Sequence, residues 1–171
     1  MGGSPVGAKI STFSYIIAMK HWVSAIFAAL FVLSAATGSH GEILSASPTS
    51  GIKSGQIISV GGKNFDETVG IYVEMCQIVP AGTLPEVCGG GVNMSGANAA
   101  SFWISSNPPS YGKNLAIAFK RGGIFKVGLK VQPLIGKVDC RKVRCAIYVR
   151  ADHTRTQDRT HDIKIPISFA K

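Results

Sequence analysis

Ile124-Phe125-Lys126-Val127-Gly128-Leu129-Lys130-Val131-Gln132 is the stretch that decides the fold. Phe125, Val127, Leu129 and Val131 share one face; Lys126, Gly128, Lys130 and Gln132 share the other. A period of two places successive side chains on opposite faces, so this is a strand with one buried and one wet side. The pattern recurs in Arg144–Arg150, where Cys145, Ile147 and Val149 oppose Arg144, Ala146, Tyr148 and Arg150. In Gly70–Cys76, Ile71, Val73 and Met75 oppose Tyr72, Glu74 and Cys76. Further strands are expected at Ile43–Ser47, Gln56–Gly61, Ala99–Ser105, Asn114–Phe119 and Ile163–Phe169. Turn-forming clusters separate them: Pro48-Thr49-Ser50-Gly51, Gly89-Gly90-Gly91, Asn107-Pro108-Pro109 and Arg121-Gly122-Gly123. No segment of this part reads as a helix. Many short strands with such punctuation indicate an all-β sandwich or barrel. Pro166 lacks a backbone donor, which places the last strand at an edge or at a bend.

The first 41 of the 171 residues read differently. Lys20 and His21 precede an apolar or weakly polar run from Trp22 to Gly38. A membrane span needs about 20 apolar residues, and this run is shorter. A charged start, an apolar middle and small residues after it describe a secretory signal peptide. Translation from Met19 gives such a peptide an ordinary start, and cleavage is expected between Gly38 and Glu42. The expected division is therefore residues 1–41 as signal peptide and 42–171 as one domain. The mature protein is expected outside the cell, secreted or retained at the surface, with no stable membrane insertion after cleavage.

All four cysteines, Cys76, Cys88, Cys140 and Cys145, lie in the mature part. An even count behind a signal peptide points to disulfides. Three connectivities are open; pairing neighbours closes the smallest loops. The spacings do not match short paired zinc hooks, so no metal is expected. The mature part carries 16 Lys and Arg against 9 Asp and Glu. From Ser101 onward the balance is 14 against 4, whereas from Glu42 to Ala100 it is 2 against 5. A basic half attracts anionic partners such as nucleic acid, anionic lipid or cell-wall polymer. Lys126, Lys130, Arg141, Lys142 and Arg144, together with Arg150 and an interleaved Tyr148, form the candidate basic patch: arginine forks bind phosphate, and an aromatic ring can stack on a base.

Catalytic signatures are absent. There is no Gly-x-Ser-x-Gly elbow. Cys88-Gly89-Gly90-Gly91 is not followed by the Lys-Ser/Thr of a phosphate loop. His153 and His161 sit in a polar segment with Asp152, Asp158 and Asp162, which reads as a solvated loop rather than a metal or acid–base site. The chain is read as a non-enzyme without a cofactor.

Several pieces resemble the neocarzinostatin/macromomycin family of secreted apoproteins. Ser47-Pro48-Thr49-Ser50-Gly51-Ile52, Ser54-Gly55-Gln56 and Ser59-Val60-Gly61-Gly62-Lys63-Asn64-Phe65 are similar to its opening strands. Val73-Glu74-Met75-Cys76 with Cys88 resembles its first disulfide, and Gly136-Lys137-Val138-Asp139-Cys140 with Cys145 its second. Ile165-Pro166-Ile167-Ser168-Phe169 resembles its last strand. The resemblance implies an Ig-like antiparallel β-sandwich of about seven strands, a small extra β-ribbon and two local disulfides, Cys76–Cys88 and Cys140–Cys145. It also implies a monomer whose cleft, between sandwich and ribbon, holds a small molecule. Relatives shelter an enediyne chromophore there, with antibacterial activity and DNA association.

Carried onto this sequence, the cleft positions are Tyr72, Glu74, Ile78, Ala146, Tyr148 and Arg150. Here the chain departs from the family. The domain is basic where chromophore carriers are acidic, and Glu74 stands where they keep a small residue. Ile78 replaces an aromatic, and Ala146 and Arg150 replace polar contacts. These departures imply a more polar cleft than that of an enediyne carrier. The other expectation is an extracellular interaction module that binds an anionic polymer or a protein through the basic half.

Overall fold

The computed structural model describes residues 1–3, 41–89 and 100–171. The chain divides into two units, Met1–Ser39 and His40–Lys171. The expected signal segment, with its apolar run, lies outside the described residues apart from residues 1–3 and 41. No helix among the described residues is long and apolar enough to cross a membrane.

The second unit is all-β. Its strands are β1 (Ile43–Ser47), β2 (Ile57–Lys63), β3 (Ile71–Gln77), β4 (Cys88–Gly89), β5 (Ser101–Ile104), β6 (Phe125–Lys130), β7 (Leu134–Ile135), β8 (Val138–Asp139), β9 (Cys145–Ala151) and β10 (Ile163–Ile167). One sheet has the order β1-β2-β6; the other runs β10-β9-β3-β4, with β5 also on β3. The β7–β8 pair forms a separate two-stranded ribbon. Every pairing between these strands is antiparallel. Of the sandwich and the barrel that the alternating strands left open, the structure is a sandwich, with the small ribbon that the resemblance implies.

The core lies between the two sheets. Ile58, Val60, Phe125, Val127 and Leu129 come from one side; Ile71, Val73, Met75, Ile104, Ile147 and Val149 come from the other. Strand β6 alternates buried and exposed along its whole length, as its sequence dictates. Strand β3 does not: its first six residues are all buried, so its second face is covered as well. Strand β10 is an edge strand, which leaves Pro166 without a ladder bond to lose on its open side.

Both disulfides close locally, Cys76–Cys88 and Cys140–Cys145. The turn at Arg121-Gly122-Gly123 is tied down by Glu67, whose Oε1 accepts from the Gly122 and Gly123 amides at 2.7 and 2.9 Å. Gly123 has φ +61°, and a Cβ there would lie 1.9 Å from the Phe65 carbonyl oxygen.

The expected strand at Asn114–Phe119 does not form. Pro108-Pro109 leads into a 3₁₀ turn at Ser110–Gly112, and the Leu115 and Ala116 amides are spent on the Gly112 carbonyl, each at 2.9 Å. Only Ile117 reaches the sheet, through an isolated parallel bridge to Ile104. At the expected Gly89-Gly90-Gly91 turn, Gly89 instead ends β4, and Gly90 and Gly91 lie outside the described residues.

Candidate functional site

The outward rows of the five-stranded sheet follow from register. Tyr72 lies between Arg150 and Trp103, Glu74 between Tyr148 and Ser101, and Cys76 between Ala146 and Cys88. Lys164 of β10 extends the middle row beside Tyr148. The sheet thus brings together five of the expected cleft residues, Tyr72, Glu74, Ala146, Tyr148 and Arg150, on the face turned from the core. Ile78 follows β3 directly and packs on Cys76, Ala146 and Tyr148.

This face is well covered. Tyr72 is 9 % exposed, Glu74 3 %, Tyr148 2 % and Ala146 0 %. Part of the cover is the segment after β3: the Val79 amide donates to the Tyr148 hydroxyl at 3.2 Å, and Lys164 Nζ donates to the Val79 carbonyl at 2.9 Å. Beside Glu74 lies the Cys76–Cys88 bridge, the three ligand-type atoms falling within 4.8 Å of one another. Both sulfurs are in the disulfide, so this trio offers no thiolate to a metal.

Arg150 Nε donates to Glu74 Oε1 at 2.7 Å. Burial still holds the Glu74 carboxyl above the ordinary range, with Arg150 pulling the other way. The Arg150 guanidinium also stands 5.2 Å from the centre of the Tyr72 ring.

At the far end of the face, His153 links two tyrosines. Its Nδ1 meets the Tyr72 hydroxyl, and its Nε2 meets the Tyr111 hydroxyl at 2.6 Å. Trp103 packs edge-on to His153, with ring centres 5.0 Å apart, and its Nε1 donates to the buried Asp152 at 2.8 Å. Burial, then the nearby Asp152 charge, pushes the Tyr72 phenol up to about 12. His153 is therefore part of an aromatic cluster rather than a free loop residue. His161 is engaged elsewhere, with Nδ1 at 2.6 Å from Glu42 Oε1 and Nε2 at 3.9 Å from Asp158. Trp103 and Tyr111 were not singled out from the sequence. The usable clue was register, since a strand pairing with Gly70–Cys76 sets an aromatic beside Tyr72.

The expected basic residues do not all leave from one face. Lys126 and Lys130 are exposed on β6, so they leave the sandwich from the three-stranded sheet, with the core between them and Arg150. Arg141, Lys142 and Arg144 are exposed on the Cys140–Cys145 loop. Arg141 is clamped on Asp139 through Nε and Nη2, both at 2.9 Å. That fork draws the Asp139 carboxyl down to about 2. Tyr148 is buried and interleaves with none of them.

Beyond the expected residues, a hollow of about 180 Å³ opens beside Tyr148. Pro80, Ala81, Gly82 and Thr83 form one wall; Tyr148, Arg159, Asp162 and Lys164 form the other. A void of roughly 150 Å³ can hold a benzene molecule, so this hollow has room for one ring-sized group. Its lining sets one largely buried tyrosine beside several polar and charged groups.

No family model matches the chain, and no curated protein matches it. Among solved structures the chain is similar to macromomycin, at 17 % identity and a TM-score of 0.49, over 76 % of this chain and 100 % of that one. It is also similar to apokedarcidin in its solution conformation, at 17 % identity and a TM-score of 0.44, over 75 % of this chain and 97 % of that one.

Proposed function

We propose that this is a secreted, non-enzymatic protein that binds a small, partly polar molecule on the outward face of its five-stranded sheet. The carrying observation is the hollow between Pro80–Thr83 and the Tyr148–Lys164 row, which adjoins the positions that the sequence resemblance aims into a cleft. Glu74 and Arg150 make the neighbouring floor polar. An apolar enediyne-type chromophore laid on that floor would have to displace or cover an ion pair, which is costly. The reading is of a binder with a different ligand from that of enediyne carriers. The non-enzymatic reading is supported by the oxidised cysteines, which offer no thiolate nucleophile.

The test is native mass spectrometry of the protein from its own secretion, followed by titration with naphthol as an aromatic probe. A co-purifying small molecule, or saturable naphthol binding weakened by Tyr148→Ala, is the expected result. The absence of both a co-purifying molecule and Tyr148-dependent naphthol binding would overturn the reading.

A second reading has its own observation. Arg141, Lys142 and Arg144 are exposed together on the loop closed by Cys140–Cys145, and of these three Arg141 is the one with an ion-pair partner among the described residues. Such a cluster suits DNA or another polyanion. Binding that falls steeply with salt and is lost in a Lys142→Ala/Arg144→Ala variant supports it; salt-independent or absent binding rules it out.

A further inference from the structure

Along β2 and β6 core residues alternate with outward ones, and the outward rows make the free face of the three-stranded sheet. The charged residues pointing out from β1, β2 and β6 are Lys63, Lys126 and Lys130, all exposed. None of the three is in an ion pair among the described residues. The acids that flank the sheet are engaged elsewhere: Glu42 with His161 Nδ1, Asp66 with the Thr68 amide and hydroxyl, and Glu67 with the Gly122 and Gly123 amides.

The same face carries large apolar side chains in water. Ile57 is 63 % exposed, and Ile43 and Ile124 are exposed as well. Register sets two of them opposite lysines: Ile57 pairs with Lys130, and Ile43 with Lys63. Ile124 directly precedes β6, in phase with Lys126. Ile57 and Lys63 are the two ends of β2, six residues apart and so separated by about 20 Å at ~3.3 Å per residue. An apolar–cationic couple therefore stands at each end of one sheet face, and the other outward positions between them are serine and glycine.

We propose that this face is a docking surface for an anionic lipid bilayer, attached peripherally and reversibly. It belongs to the sheet opposite the hollow, and it does not depend on the small-molecule reading. Lysine ammoniums meet anionic headgroups, and the isoleucines beside them reach below the headgroups toward the acyl chains. Small residues between the two couples keep the face low, so both ends can touch one plane. A hydrated polyanion accounts for the lysines but has no use for the isoleucines. The backbone stays above the hydrocarbon layer, where an open sheet edge would be left unpaired.

The test is co-sedimentation of the secreted protein with vesicles of phosphatidylglycerol and phosphatidylcholine in equal parts, and with vesicles of phosphatidylcholine alone. Binding to a single-stranded oligodeoxynucleotide is measured in a separate arm. The anionic vesicles should bind saturably, less well as salt is raised, and at least about twenty-five-fold better than the neutral ones. Each lysine near the surface is worth about fivefold, so Lys126→Ala/Lys130→Ala should lose about twenty-five-fold. Lys113→Ala/Lys137→Ala removes the same charge from outside this sheet and should lose less than about fivefold. Ile43→Thr/Ile57→Thr keeps the charge and the β-branching; it should weaken vesicle binding about tenfold and leave oligodeoxynucleotide binding where it was. Ile57→Thr alone serves if the double variant does not fold. Equal binding to neutral vesicles, equal losses in the two lysine pairs, or vesicle binding indifferent to the isoleucines would overturn the proposal. The last outcome, with oligodeoxynucleotide binding as tight as vesicle binding, would assign the face to nucleic acid instead.

Discussion

Arg150 Nε meets Glu74 Oε1 at 2.7 Å, diagonally across the paired strands β9 and β3, on the face turned from the core. Glu74 is 3 % exposed there, and its carboxyl is raised because burial outweighs the arginine. The sign follows by linkage. An acid whose folded pKa exceeds its unfolded value of 4.5 gives a stability that is complete below 4.5 and declines as the pH rises through the folded pKa. A Glu74→Gln variant lacks that decline. Thermal unfolding of both proteins from pH 3 to pH 7 should show the glutamine variant gaining on wild type as the pH rises. If wild type gains instead, attraction to Arg150 dominates and the burial argument is wrong.

Tyr72 gives the same test at the alkaline end. Its phenol stands at about 12 against an ordinary 10.0, first through burial and then through Asp152. Its contribution is whole below pH 10 and is lost as the pH climbs through 12. Tyr72→Phe should start less stable, since it gives up the bond to His153, and should close the gap between pH 10 and pH 12. Denaturant unfolding at stepped pH measures this. Parallel pH profiles for the two proteins would show that Tyr72 is not displaced.

Much of the fold was legible because half-buried strands announce themselves. Phe125, Val127 and Leu129 alternate with Lys126, Gly128 and Lys130, and only one register of that pattern buries the apolar set. Asn114–Phe119 misled because its apolar content ignores where the amides go, and Gly112 claims two of them. Strands β4, β7 and β8 are two residues long, too short to show any period. For the site, alternation correctly grouped Tyr72, Glu74, Tyr148 and Arg150, but it says nothing about cover. The burial of Tyr148 depends on Val79, distant in sequence, and that of Tyr72 on Trp103 and His153. Arg150 and Tyr148 were grouped with the basic residues for a related reason. Counting charges cannot tell that Lys126 and Arg150 leave from opposite sheets. Arg159 and Asp162 looked like ordinary loop charges, and only the passage of Pro80–Thr83 over β9 and β10 makes a hollow beside them.

The Arg141–Asp139 fork makes a local prediction. Asp139 should titrate at about 2, well below the ordinary 3.8, because Arg141 donates to it from side chain and backbone. In Arg141→Ala the side-chain part disappears, and the midpoint should move most of the way back toward 3.8. Carboxyl carbon shifts followed by NMR between pH 1.5 and pH 6 decide it. An unchanged midpoint would mean that the fork is not populated in solution.

Gly70 carries the last prediction. It precedes β3, and its carbonyl accepts from the Asp152 amide at 2.9 Å. A Cβ at Gly70 would lie 1.9 Å from Asp152 Oδ2 and 3.2 Å from Ser105 Oγ. Asp152 has little freedom to yield. Its Oδ1 accepts from the Thr154 amide at 2.8 Å and hydroxyl at 2.6 Å, and its Oδ2 accepts from Trp103 Nε1 at 2.8 Å. Swinging the carboxylate away would break the tryptophan bond and leave a buried indole N–H unpaired; holding it in place would force the strands apart. Either route should cost about 2–3 kcal/mol. Gly70→Ala should therefore lower the melting temperature by several degrees. In a protein that begins at Glu42, where Trp103 is the one tryptophan, its fluorescence should shift to the red as the Asp152 contact loosens. A variant that melts within about 0.5 kcal/mol of wild type, the range of an ordinary surface change, with unshifted fluorescence, would show that the Gly70–Asp152–Trp103 contact does not hold this end of the face together.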